Sequence, residues 1–397
     1  MSTSRGAKYV NVDGGRWGIG VRIYRSMRVL HCLWSADVGG AERAMWQLVA
    51  AQREEGAVHP GVLLGRGGGS YVDRIRAIGA EVIELGMGSA MDPRVLTRAR
   101  RAMHGWDVHH FHAMEPGLMA ASLATTGSAR VFTNRGGTSR EDWTPRQRLR
   151  HRLGGRLLRR FDALSANTRH AAGVAARRYG LPAESFALTP NGIDFALLDV
   201  RRPRQEVLRD LGIDPSGFVV GTTAVLRPLK RVERLLRAAA GVADVRWVVL
   251  VVGDGPDRGR LEAEAATLGI AERVRFTGTL ERVADHVAAM DLFAMTSGSR
   301  ESFGNALVEA MALGVPSAVF TDSPGPREHV TDGETGFVLT GEADLADAIR
   351  RVAGDPEAAA RVGRAGAADV RARYSLEAML RAYAGLYERA RARTDSP

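Results

Sequence analysis

Short apolar runs alternate with amphipathic helical stretches from one end of this chain to the other, and that alternation restricts the fold more than any single motif. Before residue 200 the runs are "VLHCLW" (29–34), "VLL" (62–64), "EVIEL" (81–85), "DVHHF" (107–111), "ARVFT" (129–133) and "ALSAN" (163–167). After it come "FVVGTTAVL" (218–226), "RWVVLVV" (246–252), "RVRF" (273–276), "DLFAM" (291–295), "PSAVF" (316–320) and "GFVL" (336–339). All are far shorter than the roughly 20 residues that cross a bilayer. Near-continuous Val, Ile and Leu suits strands buried on both faces. Helical spacing between them, as in "GAERAMWQLVAAQREEG" and "RVERLLRAAAGVA", implies β-α-β units and parallel sheets covered on both sides.

Two such sets flank a turn-rich stretch, "TPNGIDFALLDVRRPRQ" (189–205). The expected architecture is α/β, with two Rossmann-like doubly wound domains facing across a cleft and ligands at the carboxyl ends of the strands. The boundaries are a mobile tail over 1–26, a first Rossmann-like domain over 27–190, a hinge over 191–205 and a second Rossmann-like domain over 206–372. A final helical segment, 373–397, is expected to pack back toward the first domain. The first 26 residues lack the apolar core of a signal peptide, and Met27 is an alternative start. The one cysteine, Cys32, lies in the first strand, which excludes a disulfide framework. The chain reads as cytoplasmic.

With 55 Lys+Arg against 45 Asp+Glu, the net charge is +10. Such a balance suits nucleic acid, an anionic membrane or an anionic small molecule. Arginine carries almost all of it: the only lysines are Lys8 and Lys230. A compact ammonium on a flexible stem suits a phosphate in a tight space. Nucleic-acid binding would need aromatics interleaved with the basic residues, and here the charge is spread over amphipathic helices.

"SRESFGNALVEAMALGVP" (299–316) sets Glu301 and Glu309 in a small, apolar segment where unpaired carboxylates are costly. Helical spacing runs over 302–313, stopped by Gly314 and Pro316. Eight residues of helix would separate the two backbones by roughly 12 Å. That spacing disfavours a glycosidase pair, whose carboxylates stand about 5–9.5 Å apart. Two distant acceptors with free helical N–H groups between them fit a sugar, a diphosphate and a ribose in order. The competing reading is a structural Glu309 paired with an arginine.

"ESFGNALVEAMALGVP", followed by "PGPREHVTDGETGFVL" (324–339), resembles the signature of the family 4 retaining glycosyltransferases with the GT-B fold (glycosyl transferases group 1). The resemblance extends to "VGGAER" (38–43), "DVHHFHA" (107–113), "PNGID" (190–194) and "VVGDGPDRGRLE" (251–262). It implies a transferase moving a sugar, with a UDP-sugar as the expected donor, to an acceptor hydroxyl in polysaccharide, glycolipid or glycosylated-metabolite synthesis. By the same resemblance Glu301 binds donor-sugar hydroxyls at the catalytic centre and Glu309 the ribose. Backbone N–H groups of Phe303, Gly304 and Asn305 meet sugar and phosphates.

In "VLRPLKRVERLL" (225–236), Arg227 and Lys230 are placed to neutralise the leaving diphosphate. Relatives usually carry an arginine where this chain has Val225, and Arg227 is the proposed substitute. Gly39 and Gly40 allow close backbone approach to the donor. "GRGGGS" (65–70) lacks the lysine of a P-loop and reads as a flexible loop. No Asp-x-Asp occurs, so neither metal nor cofactor is called for. His110 and His112 alternate onto one face and are candidate acceptor or sugar contacts, with a packing role as the competing reading. Arg135 stands where many relatives have a histidine against the donor sugar, which makes it a third candidate.

"REDWTPRQRLRHRLGGRLLRR" (140–160) is an amphipathic basic stretch interrupted by Gly154 and Gly155. It points either to peripheral contact with an anionic inner membrane face, serving a lipid-linked acceptor, or to a solvated helix. The acceptor classes left open are saccharide, lipid-linked and small-molecule. Two rival functions share the architecture: a GT-B-shaped sugar-nucleotide epimerase, and an NAD-dependent oxidoreductase, which would need the absent Gly-x-Gly-x-x-Gly fingerprint.

Overall fold

The computed structural model describes residues 27–37, 40–89, 92, 94–136 and 144–395. Among the described residues, thirteen strands form two sheets. The first has seven: β1 (Met27–Leu33), β2 (Val58–Leu64), β3 (Glu81–Glu84), β4 (Val108–Phe111), β5 (Ala129–Asn134), β6 (Ala163–Ala166) and β7 (Phe186–Leu188). Their order is β3-β2-β1-β4-β5-β6-β7. The second has six: β8 (Phe218–Thr223), β9 (Trp247–Val252), β10 (Val274–Phe276), β11 (Leu292–Met295), β12 (Ser317–Phe320) and β13 (Phe337–Leu339), ordered β10-β9-β8-β11-β12-β13. Every described register is parallel, with Met27 opposite Val58, Val29 opposite Val108, Phe218 opposite Trp247 and Val220 opposite Leu292. Both orders are doubly wound, as the alternation of runs predicts. Only β7, three residues long, has no counterpart among the apolar runs.

β9 shows why these runs become internal strands. Trp247, Val249 and Val251 belong to the core on one face of the second sheet, while Leu250 and Val252 belong to the core on the other. A strand with period-two side chains can be apolar throughout only when both faces are covered. Arg273 lies 3.5 Å over the Trp247 ring, its charge kept at the edge of that core.

The chain divides into two compact units. The first runs to Phe132 and adds Arg160–Asp162 and the C-terminal segment from Tyr387. Within it, Arg391 donates to the carbonyl of Gly127 (2.9 Å) and Arg393 to that of Asp162 (3.0 Å). The second unit comprises Thr133–Arg159 and Ala163–Leu386 and holds the whole six-stranded sheet.

The basic segment differs from its sequence reading. Gly154 and Gly155 do not interrupt it: one helix spans Pro145–Leu158, opened by a Thr144–Gln147 capping box. A Cβ on Gly155 would stand 1.9 Å from the Tyr179 carbonyl oxygen of the neighbouring helix Arg169–Tyr179, so the glycine permits close helix packing. Arg148, Leu149, Arg152, Leu153 and Arg156 are exposed. Arg140 lies outside the described residues.

Candidate active site

In a doubly wound sheet, ligands gather where the strand order reverses. For the second sheet that point lies between β8 and β11, and the loops leaving these two strands carry the candidate residues Arg227, Lys230 and Glu301. Beyond β8 the chain turns through Arg227 into a single 3-10 turn, Pro228–Lys230. Arg231 follows with φ +50°, the one non-glycine residue in the left-handed region among the described residues. Such a conformation persists only when its surroundings enforce it. Here Asp322, just past β12, does so: it takes hydrogen bonds from Arg231 (2.6 Å) and Arg234 (2.8 Å). Partial burial raises the Asp322 carboxyl pKa, but the two guanidinium groups outweigh it and hold the group below its ordinary value. Thr296 Oγ1, after β11, donates to the Lys230 carbonyl (2.7 Å). The turn is therefore held on both sides, and its side chains are aimed.

Lys230 Nζ meets Glu301 Oε2 at 2.6 Å, both side chains being largely covered. Glu301 lies in the loop between β11 and the next helix, whose span is Asn305–Ala312. The spacing-based expectation of a helix from Ser302 is corrected here. Gly304, the N-cap residue, has φ +81°, and a Cβ there would meet Pro326 Cγ at 2.8 Å. Ser302 is engaged elsewhere: its hydroxyl donates to the Arg135 carbonyl (2.7 Å), and its own carbonyl accepts from Thr168 Oγ1 (2.9 Å). Glu301 thus precedes the helix, and the 12 Å of continuous helix between the two glutamates does not apply. The N–H groups of Phe303, Gly304, Asn305 and Ala306 have no protein acceptor among the described residues. They are the orphan donors of a helix start, just after Glu301 in sequence, and the partial positive charge of such a start favours an anion.

A buried support shapes this loop, and sequence reasoning missed it. His329 Nε2 faces the Phe303 carbonyl (2.7 Å) and so carries the proton, which leaves Nδ1 to accept from the Tyr374 hydroxyl (2.7 Å). Arg373 donates to the same hydroxyl oxygen. Phe303 packs against both rings, 4.5 Å from His329 and 5.3 Å from Tyr374. Burial lowers the His329 pKa to about 3 and raises that of Tyr374 to about 12, so both stay neutral near neutral pH. Gly325 lets Pro324–Arg327 lie against the loop, since a Cβ would stand 2.2 Å from the Ser302 carbonyl oxygen. The Glu328 carboxylate accepts from the N–H groups of Arg169 (3.0 Å) and His170 (2.7 Å), capping the helix Arg169–Tyr179. Much of "PGPREHV" is therefore scaffold for residues 301–305. The motif itself was visible; its partners lay too far away in sequence to be read.

The remaining candidates fall as follows. Arg227 is exposed beside the turn, and the Val225 side chain is also exposed. Glu309 is 7% exposed within its helix. Asn305 Oδ1 accepts from Asn191 Nδ2 (3.0 Å), and Asn191 Oδ1 accepts from Arg135 (2.5 Å). Arg135 also donates to Tyr383 Oη (2.7 Å). It is buried in the second unit as a brace between the end of β5, Asn191 and Tyr383. His110 and His112 lie in the first unit, both buried, with ring centroids 4.0 Å apart. Gly40 opens the helix Gly40–Glu55, whereas Gly39 lies outside the described residues.

Known proteins resemble this chain along most of its length. The family model "Glycosyltransferase Family 4" matches residues 38–197, and "Glycosyl transferases group 1" matches 203–369. The D-inositol 3-phosphate glycosyltransferase of Streptomyces scabiei is 35% identical over 248 residues, 57% of this chain and 54% of the relative. The lipopolysaccharide core biosynthesis glycosyltransferase LpsD of Rhizobium meliloti is 32% identical over 191 residues, 47% and 54% of the two chains. The match thus spans about half the length of these relatives. The crystal structure of Anabaena Alr3699/HepE in complex with UDP shares the fold, with a TM-score of 0.78 at 23% identity over 90% of this chain and 99% of that one. The two family models lie end to end, one on each side of residue 200, and the chain belongs to the family 4 glycosyltransferases of the GT-B fold.

Proposed function

We propose that the protein is a retaining transferase that moves a sugar from a nucleoside diphosphate sugar, a UDP-sugar in the first instance, to an acceptor hydroxyl. The observation that carries this reading is the 2.6 Å contact of Lys230 with Glu301, which shortly precedes in sequence the N–H groups left without a protein acceptor at the start of the helix Asn305–Ala312. A nucleotide sugar answers both halves of that ion pair. Its diphosphate takes Lys230, Arg227 and the helix N–H groups, and its sugar hydroxyls take the Glu301 carboxylate released by the lysine. Parting a largely covered ion pair is costly unless each charge regains a partner, and this ligand supplies both. Glu309 binds the ribose hydroxyls, and residues 206–372 hold the donor while 27–190 hold the acceptor.

As the sugar departs, charge grows on the leaving phosphate, and preorganised cations and N–H dipoles there stabilise the transition state more than the ground state. The departing phosphate oxygen accepts the acceptor's hydroxyl proton on the face it leaves, which retains the configuration. UDP in the HepE complex and lipopolysaccharide core synthesis in the name of LpsD support a UDP-sugar and a saccharide or lipid-linked acceptor. The exposed basic face of the helix Pro145–Leu158 would hold such an acceptor's membrane close. A thermal-shift panel of UDP-, GDP-, ADP- and dTDP-sugars tests the donor. Stabilisation by UDP-sugars above the others, followed by release of UDP with a saccharide acceptor, is the expected result. Equal indifference to all four removes the reading.

A further inference from the structure

We propose that His31, His110 and His112, in the first unit, bind a transition-metal ion of the zinc class. His31 on β1 is the register partner of His110 on β4, so the two side chains share a face of the sheet, and His112 lies two residues further along that face. All three are buried, at 0%, 0% and 3% exposure. One ring nitrogen from each lies within 4.8 Å of the others. The His31 and His112 rings stack at 5.2 Å, with His31 Nδ1 only 2.9 Å from His112 Nε2.

The surroundings give His31 and His110 the outer shell that metal-bound histidines have. Gln52 donates through Nε2 to Tyr387 Oη (3.3 Å), so its Oε1 accepts from His31 Nε2 (2.8 Å). That fixes the His31 tautomer and turns the Nδ1 lone pair into the cluster. Tyr387 Oη holds His110 Nδ1 (2.9 Å), which leaves His110 Nε2 as its ligand atom. Zinc–imidazole bonds of about 2.0–2.1 Å place tetrahedral ligand atoms roughly 3.3 Å apart. His31 and His112 need only part by a few tenths of an ångström. The proton on His112 Nε2 then moves to its Nδ1, and none leaves the protein. A set of three neutral imidazoles suits zinc and its neighbours and serves poorly the ions that prefer oxygen. Cys32 is excluded as a ligand, because as the next residue on β1 its side chain takes the opposite face, and its Sγ approaches the Leu30 carbonyl (3.5 Å). The competing arrangement is a chain of hydrogen bonds among neutral rings with no ion.

The test uses the tag-free chain of 397 residues, stripped with a chelator and titrated with Zn2+ and, separately, Co2+. The expected result is uptake of one equivalent, the visible absorption of tetrahedral Co2+, and a rise in Tm with Zn2+ that a chelator reverses. Gln52→Leu, in the outer shell, should weaken the metal 10–100-fold, and His112→Gln should weaken it further while keeping a hydrogen-bonding group in place. Wild-type protein that takes up neither ion and keeps its Tm in excess Zn2+ overturns the proposal. So does uptake that both variants leave unchanged, which would put the ion elsewhere. Should either variant fail to fold, the Co2+ spectrum of the wild type decides.

Discussion

Lys230 is the one lysine among the described residues, and its contact with Glu301 gives that isolation a physical meaning. An ammonium is a compact point charge that can leave a carboxylate for a phosphate, whereas a guanidinium tends to lock in a planar fork. Lys230→Ala is expected to lower kcat/KM by about 10²–10³-fold, the range for losing one preorganised donor to a developing oxyanion. Lys230→Arg should recover only part of that loss. In isothermal titration with free nucleoside diphosphate, Glu309→Ala should weaken binding while Glu301→Ala leaves it largely intact and depresses turnover. Equal loss of nucleotide affinity in both would undo the division of roles. His329 makes a separate prediction. In the unfolded chain it takes a proton near 6.5; in the folded chain, with its pKa lowered by burial to about 3, it stays neutral. Its stabilising contribution is therefore complete above about pH 6.5 and is lost as the pH falls toward 3. The slope reaches about 1.4 kcal/mol per pH unit. Buried His109, lowered to about 4, acts in the same direction. Urea midpoints between pH 7 and 4 should fall for the wild type and fall less steeply for His329→Gln.

At the level of elements, two glycines invert what propensity alone suggests. Glycine inside a helix costs about 1 kcal/mol relative to alanine, yet Gly155→Ala should destabilise, by about 1–3 kcal/mol, through overpacking. The Cβ would have to enter the space of the Tyr179 carbonyl oxygen, which is backbone and cannot swing away. A drop in the urea midpoint with little change in KM is the expected signature. Gly325→Ala should do the reverse. Its Cβ would press on the Ser302 and Glu301 carbonyls, so donor affinity should fall by more than stability does. The start of the helix Asn305–Ala312 makes the same point. Helical spacing in the sequence continues back to Ser302, but hydrogen bonds from Ser302 to Arg135 and from Thr168 to Ser302 take those groups out of the helix. Side chains that cap and brace compete with the backbone ladder, and periodicity records only the ladder.

At the scale of the whole molecule, the net charge of +10 bears on association rather than on fold. The arginines at 148, 152 and 156, next to exposed Leu149 and Leu153, should give salt-sensitive binding to anionic vesicles. Each cation near the surface adds on the order of 1 kcal/mol. Co-sedimentation at low salt that disappears at high salt is expected; absence at low salt would favour a soluble acceptor. No helix among the described residues is long and apolar enough to cross a membrane. The doubly wound sheets were legible beforehand, because an apolar run of strand length between amphipathic helices has few other ways to bury itself. Glu301, Glu309 and Lys230 were conspicuous too, since a carboxylate in an apolar segment, or one of only two lysines among so many arginines, stands out in one dimension. Their partners were not. Lys230 and Glu301 are 71 residues apart, Ser302 and Arg135 167, and His31 and His112 81. Parallel strands are joined by crossovers, so neighbours in a sheet are distant in sequence, and the register and helix packing that choose them are set only when the cores close. Local spacing thus determined which elements form and which residues are chemically conspicuous. Tertiary packing alone decided that His329 holds the site loop, that Arg135 is a brace, and that three histidines share one buried face.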